Sequence, residues 1–145
     1  MREITCSEVY KLEECLKALA EHHNEVSTLF KGYYPKKPFS ETLASFEKDL
    51  KSGSSRIAVI ENEEKILGFC KTDINGKDGK IDYLIVLKET RGCGYGNTLM
   101  NWAMDVFRQS GVERIELRVV VGNNAVDFYE KYGFRINSHI MRLDI

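Results

Sequence analysis

The segment Tyr83-Leu84-Ile85-Val86-Leu87 reads as a buried strand, and it passes through Lys88-Glu89-Thr90 into Arg91-Gly92-Cys93-Gly94-Tyr95-Gly96, after which helical spacing begins. A strand, a glycine-rich turn and a helix in that order confine the chain to folds that pack helices on a sheet. The turn offers unpaired backbone N–H groups at a helix N-terminus, a setting that suits phosphate. Glycine lets the backbone approach an anion closely, and Arg91 adds a fixed positive charge. A diphosphate fits this chemistry. A dinucleotide fingerprint would need glycine at position 97, which is Asn97, and no lysine follows the glycines as a P-loop requires. Taken alone, the turn could also serve strand-to-helix geometry and nothing more.

The rest of the chain supplies the layers. Arg2 to Cys6 is a short strand candidate, followed by Val9, Leu12, Leu16 and Leu19 on one helical face, with Ser7 as cap. His22 to Phe39 carries no helical or strand period and is long for an ordinary connection. Ser40 caps a second helix whose Leu43, Phe46 and Leu50 share a face, ending at Ser52-Gly53. Strands are expected at Arg56 to Ile60, Lys65 to Ile74 and Lys80 to Leu87, separated by turns short enough for antiparallel neighbours. A buried helix follows to Gly111, then a strand from Ile115 to Val121, a helix from Ala125 to Tyr132, and a closing strand from Phe134 to Ile145. At 145 residues without repeats, the expectation is one α/β domain spanning residues 1–145.

Composition narrows the partners. Lys plus Arg number 21 against 22 Asp plus Glu, so no overall field holds a nucleic acid or an acidic membrane surface. No apolar run approaches the roughly 18 residues of a membrane span. Cys6, Cys15, Cys70 and Cys93 are far apart with no His at ligand spacing, and they read as reduced thiols of a cytoplasmic protein.

Two motifs in order give a resemblance. Val86 to Gly96 resembles the pattern V-x-P-x-x-[QR]-x-x-G-x-[GA] of the GNAT acetyltransferase superfamily, with Lys88 in place of the proline. Ala125 and Phe128-Tyr129-Glu130-Lys131-Tyr132-Gly133-Phe134 resemble that family's N-x-x-A-x-x-[FL]-Y-x-K-x-G-F motif, with Gly122 where the family has Asn and with Asn123 and Asn124 beside it. The resemblance implies a mixed, mostly antiparallel sheet of 6–7 strands flanked by about four helices, with a splayed parallel strand pair that receives acetyl-CoA.

It further implies that acetyl-CoA binds along Leu84, Ile85 and Val86, at the turn formed by Arg91, Gly92, Cys93, Gly94, Tyr95, Gly96 and Asn97, and near Asn124 and Tyr129, with no metal required. An amine of a small molecule or peptide would attack the thioester directly, Tyr129 would give the departing sulfur its proton, and Asp82 is a candidate base by strand alternation with Leu84 and Val86. Tyr33 and Tyr34 are candidates for the acceptor wall. A non-catalytic acyl-CoA-binding module, a protein contact through Tyr33 to Pro38, and a homodimer stand as further readings.

Overall fold

The computed structural model describes residues Met1–Ile145. Strand β1, Arg2–Glu3, leads into a 3-10 turn, Cys6–Leu12, that runs directly into helix α1, Glu13–Val26. The Glu8 carboxylate accepts the Thr5 N–H at 3.2 Å, so the helical stretch is entered from Thr5 and not from Ser7. Helix α1 continues through His22 and His23 to Val26, one turn beyond the point where its apolar period fades.

Helix α2, Phe39–Ser52, closes the helical half. It hands over to β2, Ser55–Asn62; β3, Lys65–Asn75; and β4, Asp78–Val86. Helix α3, Tyr95–Gln109, leads to β5, Arg114–Glu116, and a short α4, Ala125–Glu130, comes last.

The sheet has five strands in sequential order. Its first three pairings are antiparallel and only β4 with β5 is parallel. Alternation in the central strands gives each face its own core. Ile57, Val59, Phe69 and Ile85 pack with Leu12, Leu16 and Phe46 beneath α1 and α2. Ala58, Ile60, Cys70 and Ile81 pack with Leu99, Met100, Ala103 and Phe107 of α3. The result is a three-layer arrangement whose middle strands are buried on both sides, which is why they read as nearly unbroken apolar runs.

The expectation of 6–7 strands is corrected to five. Residues 134–145 form no strand, and no backbone hydrogen bond involves residues 135–145. Met141, Leu143 and Ile145 alternate with Arg142 and Asp144, but alternation describes faces and not partners; these three apolar side chains lie at the surface. The strand expected from Ile115 to Val121 is likewise confined to Arg114–Glu116, because β5 leaves β4 after Glu116.

Candidate functional site

Beyond Lys80 the two parallel strands no longer pair, while β4 runs on to Val86, so one edge of β4 is open over about 20 Å. The orientation of that edge follows from the ladder on its other side. Leu87 donates its N–H to the Leu67 carbonyl at 2.8 Å, and Ile85 stands opposite Phe69. Alternation then turns the backbone N–H and C=O of Leu84 and Val86 away from β3, into the gap. Ile85 points its polar backbone the other way and buries its side chain in the core.

The open edge ends at the glycine turn. Gly92 and Gly94 take φ of +86° and +80°, which a side chain would strain, and Gly94 caps α3. The first α3 bond joins the Thr98 N–H to the Gly94 carbonyl at 3.0 Å, leaving the N–H groups of Tyr95, Gly96 and Asn97 ahead of it. No acidic side chain stands in that first turn. Arg91 folds back so that its Nε donates to the Val86 carbonyl at 3.3 Å, tying the turn to the open edge. Cys93 is exposed and free.

Helix α4 forms the opposite wall. Tyr129 sits against Phe128, ring centroids 5.4 Å apart, and Phe134, 6.1 Å apart. Burial pushes its phenol up to about 12, with the neighbouring Cys70 adding to the shift. The Tyr129 hydroxyl takes no partner within the protein, yet no fully enclosed side-chain polar atom is left unpaired, so the hydroxyl reaches an accessible surface. Tyr132 donates its hydroxyl to Asn97 Oδ1 at 2.6 Å, joining the turn after α4 to the start of α3.

The asparagines behave differently from one another. A Cβ at Gly122, whose φ is +95°, would run into the Val26 carbonyl oxygen, so no side chain can occupy that position. Asn123 Oδ1 accepts the Ala125 N–H at 3.0 Å and starts α4, whereas Asn124 is exposed and makes no capping bond.

Asp82 does not share the face of Leu84 and Val86. Lys71 stands opposite Tyr83 and Thr72 opposite Ile81, so Asp82 is the extra residue of a bulge that resets the alternation. Its side chain meets Lys71 Nζ at 2.9 Å and Lys80 Nζ at 3.0 Å. Burial alone would raise its carboxyl, but Lys71, helped by Lys80, outweighs this and holds it below the usual carboxylate range. Lys71 is fully buried and also meets Asp73 at 2.6 Å and Asp49 at 3.0 Å. Sequence reasoning missed this cluster; a lysine inside the apolar run Ile66 to Thr72 was its signal. The cluster adjoins a charged depression of about 650 Å³ at the start of β4, away from the glycine turn.

Tyr33 and Tyr34 lie on the loop after α1, in edge contact with ring centroids 5.4 Å apart. The Asn24 side chain holds the loop by accepting the Tyr34 N–H at 3.0 Å and donating to the Tyr34 carbonyl at 2.8 Å. His23 packs against Tyr34 at 5.0 Å, and burial, with His22 and Lys36 nearby, lowers it to about 4.

Residues 18–134 match the acetyltransferase (GNAT) family. N-alpha-acetyltransferase 30 of Schizosaccharomyces pombe is 36% identical over 82 residues, covering 52% of this chain and 55% of that protein. Spermidine N(1)-acetyltransferase of Vibrio cholerae is 30% identical over 112 residues, covering 74% of this chain and 65% of that protein. The chain thus spans less than two thirds of the length of either relative. Among solved structures, a tetramutant of the BH1408 protein from Bacillus halodurans superposes with a TM-score of 0.80 at 24% identity, over 99% of this chain and 98% of that one.

Proposed function

Since the chain belongs to the acetyltransferase (GNAT) family, we propose that it transfers the acetyl group of acetyl-CoA to a primary amine of a small molecule or peptide. The observation that carries this reading is the parting of β4 from β5 beside a turn with free N–H groups. An extended amide-bearing arm can add along Leu84 and Val86 as a strand would, while its diphosphate meets the N–H groups of Tyr95, Gly96 and Asn97 and the Arg91 guanidinium. Ile85 contributes to the shape of that edge from the core side.

The neutral amine nitrogen attacks the thioester carbonyl in a ternary complex, and the carbon–sulfur bond breaks. The proton that the nitrogen gives up as the amide forms is balanced by the one the departing sulfur takes, exchanged through solvent. The Val86 N–H faces the gap and suits the oxyanion of the tetrahedral intermediate. Held near 12, Tyr129 stays protonated across the physiological range. Full proton transfer to a thiolate of ordinary pKa, about 8.5, would run uphill by about 5 kcal/mol, so its first contribution is a hydrogen bond to the departing sulfur. Tyr33 and Tyr34 line the acceptor side.

One observation favours a second reading, binding of an acyl-CoA without catalysis: Asp82, the carboxylate expected as base, is turned off the face of Leu84 and Val86 and is engaged by Lys71 and Lys80. Calorimetry with acetyl-CoA, followed by thiol release across a panel of amines, separates the two. Binding with acceptor-dependent thiol release supports transfer, and binding without release for any amine supports the second reading. Failure to bind acetyl-CoA at millimolar concentration overturns both. No helix is long and apolar enough to cross a membrane.

A further inference from the structure

The last eleven residues are held to the protein in an unusual way. Residues 135–145 contribute no backbone hydrogen bond, and Ile140, Met141 and Leu143 are 74%, 94% and 83% exposed. Neither a ladder nor apolar packing secures them. What joins this segment to the body is Arg142, whose guanidinium lies 3.9 Å from the Tyr33 ring centroid and 5.9 Å from that of Phe30. Its Nε also donates to Asp144 at 2.7 Å, within the same segment.

One of the rings that receive Arg142, Tyr33, also has a second cation near it. Lys36 Nζ stands 5.5 Å from the Tyr33 centroid and 5.7 Å from that of Tyr34. Phe30 and Tyr33 pack at 6.1 Å with their planes tilted by 57°, so two faces converge on one volume. A cation there is held by ring quadrupoles and not by a countercharge of the body, an interaction suited to alkylammonium and guanidinium groups alike. The position matters as much as the chemistry. The loop carrying these rings leaves α1 at Val26, whose carbonyl abuts Gly122, so the loop starts beside the segment that leads into α4 and Tyr129.

We propose that Phe30 and Tyr33 form a binding face for a cationic group, alkylammonium or guanidinium, carried by the acceptor at a distance from the amine that is acetylated, and that Arg142 fills this face in the free protein. The proposal rests on the acetyl-transfer reading above and deepens it: the acceptor class becomes amines with a second positive charge. Arg142 competes from the same chain, so its effective concentration is high, and the apparent affinity of an incoming cation falls by the fraction of the face that is free. Asp144, released with Arg142, stays on the segment that moves away.

The test uses the full chain and two probes, methylguanidinium and tetramethylammonium, followed by NMR shifts of the tyrosine and phenylalanine rings. Arg142→Gln should bind either probe about threefold to tenfold more tightly than the unsubstituted protein, the scale of one cation–ring contact. Adding Tyr33→Leu, or in a separate chain Phe30→Leu, should abolish that gain. In turnover, Arg142→Gln should lower KM for 1,4-diaminobutane at least about threefold relative to butylamine. Equal probe affinity with and without Arg142, or a gain that survives in either ring variant, overturns the proposal. Probe binding needs no acetyl-CoA. A chain that fails to bind acetyl-CoA yet shows the Arg142 effect therefore sinks the acetyl-transfer reading and leaves the cation face standing, while the reverse result sinks only the cation face.

Discussion

The hydroxyl of Tyr132 donates to the side-chain oxygen of Asn97 at 2.6 Å, so the turn that follows α4 is tied to the first turn of α3. Asn97 is one of the three residues whose N–H groups face the proposed diphosphate site, and Tyr132 stands three residues after Tyr129. A single bond thus spans the two walls between which acetyl-CoA would lie.

Tyr132→Phe should weaken acetyl-CoA binding by about twofold to tenfold, the range of one neutral hydrogen bond, because Asn97 loses its fixed orientation. Calorimetric titration with acetyl-CoA measures this directly. The bond is exposed, so the thermal midpoint should move little.

Tyr129→Phe should lower turnover by a factor of about 10² or more where chemistry limits the rate, with acetyl-CoA affinity nearly retained. The pH profile offers a second check. An ordinary tyrosine ionises near 10, whereas Tyr129 is held at about 12, so the rate of the unsubstituted protein should show no phenol limb near pH 10. Equal turnover of the two proteins would remove Tyr129 from the reaction.

His23 links stability to acid. Its folded value of about 4 lies below the unfolded value of about 6.5, so the folded state gives up the proton more readily than the unfolded chain. Its contribution is complete above pH about 6.5 and is lost as pH falls through about 4. His23→Gln should flatten this part of the stability profile, as read from thermal midpoints between pH 4 and pH 7.

Lys71→Met should destabilise the fold by about 3 kcal/mol, because it leaves Asp49, Asp73 and Asp82 gathered without their shared cation, partly relieved by their access to water. Asp82→Asn should cost less, since Lys71 keeps two carboxylates. Its effect on turnover should stay below about tenfold if the carboxylate is structural. Urea unfolding and steady-state rates measured on the same samples separate the two roles.

The parts of the fold that were legible are those governed by neighbours along the chain. The apolar runs around Ile57 to Ile60 and Phe69 to Cys70, punctuated by Asn62-Glu63-Glu64 and Asn75-Gly76, fix β2 to β4 because their burial on both faces leaves no room for polar interruption. The turn at Gly92 and Gly94 was legible for the same reason. What escaped depends on register across strands. The bulge at Asp82 exists only as a mismatch between β3 and β4, so alternation read along β4 alone assigns that side chain to the wrong face. The segment around Met141 to Ile145 carries a strand period without a strand beside it. Arg142 and Tyr33 meet through tertiary packing, which no local spacing encodes.

Gly122 gives the molecule a mechanical property as well as a local shape. With its Cα against the Val26 carbonyl, the backbone that leads into α4 touches the end of α1 with no side chain between them to yield. A displacement of the aromatic loop after Val26 is therefore passed to the helix bearing Tyr129 as a movement of one chain segment against another. The coupling is reciprocal: whatever shifts the loop biases the helix, and whatever shifts the helix biases the loop to the same extent.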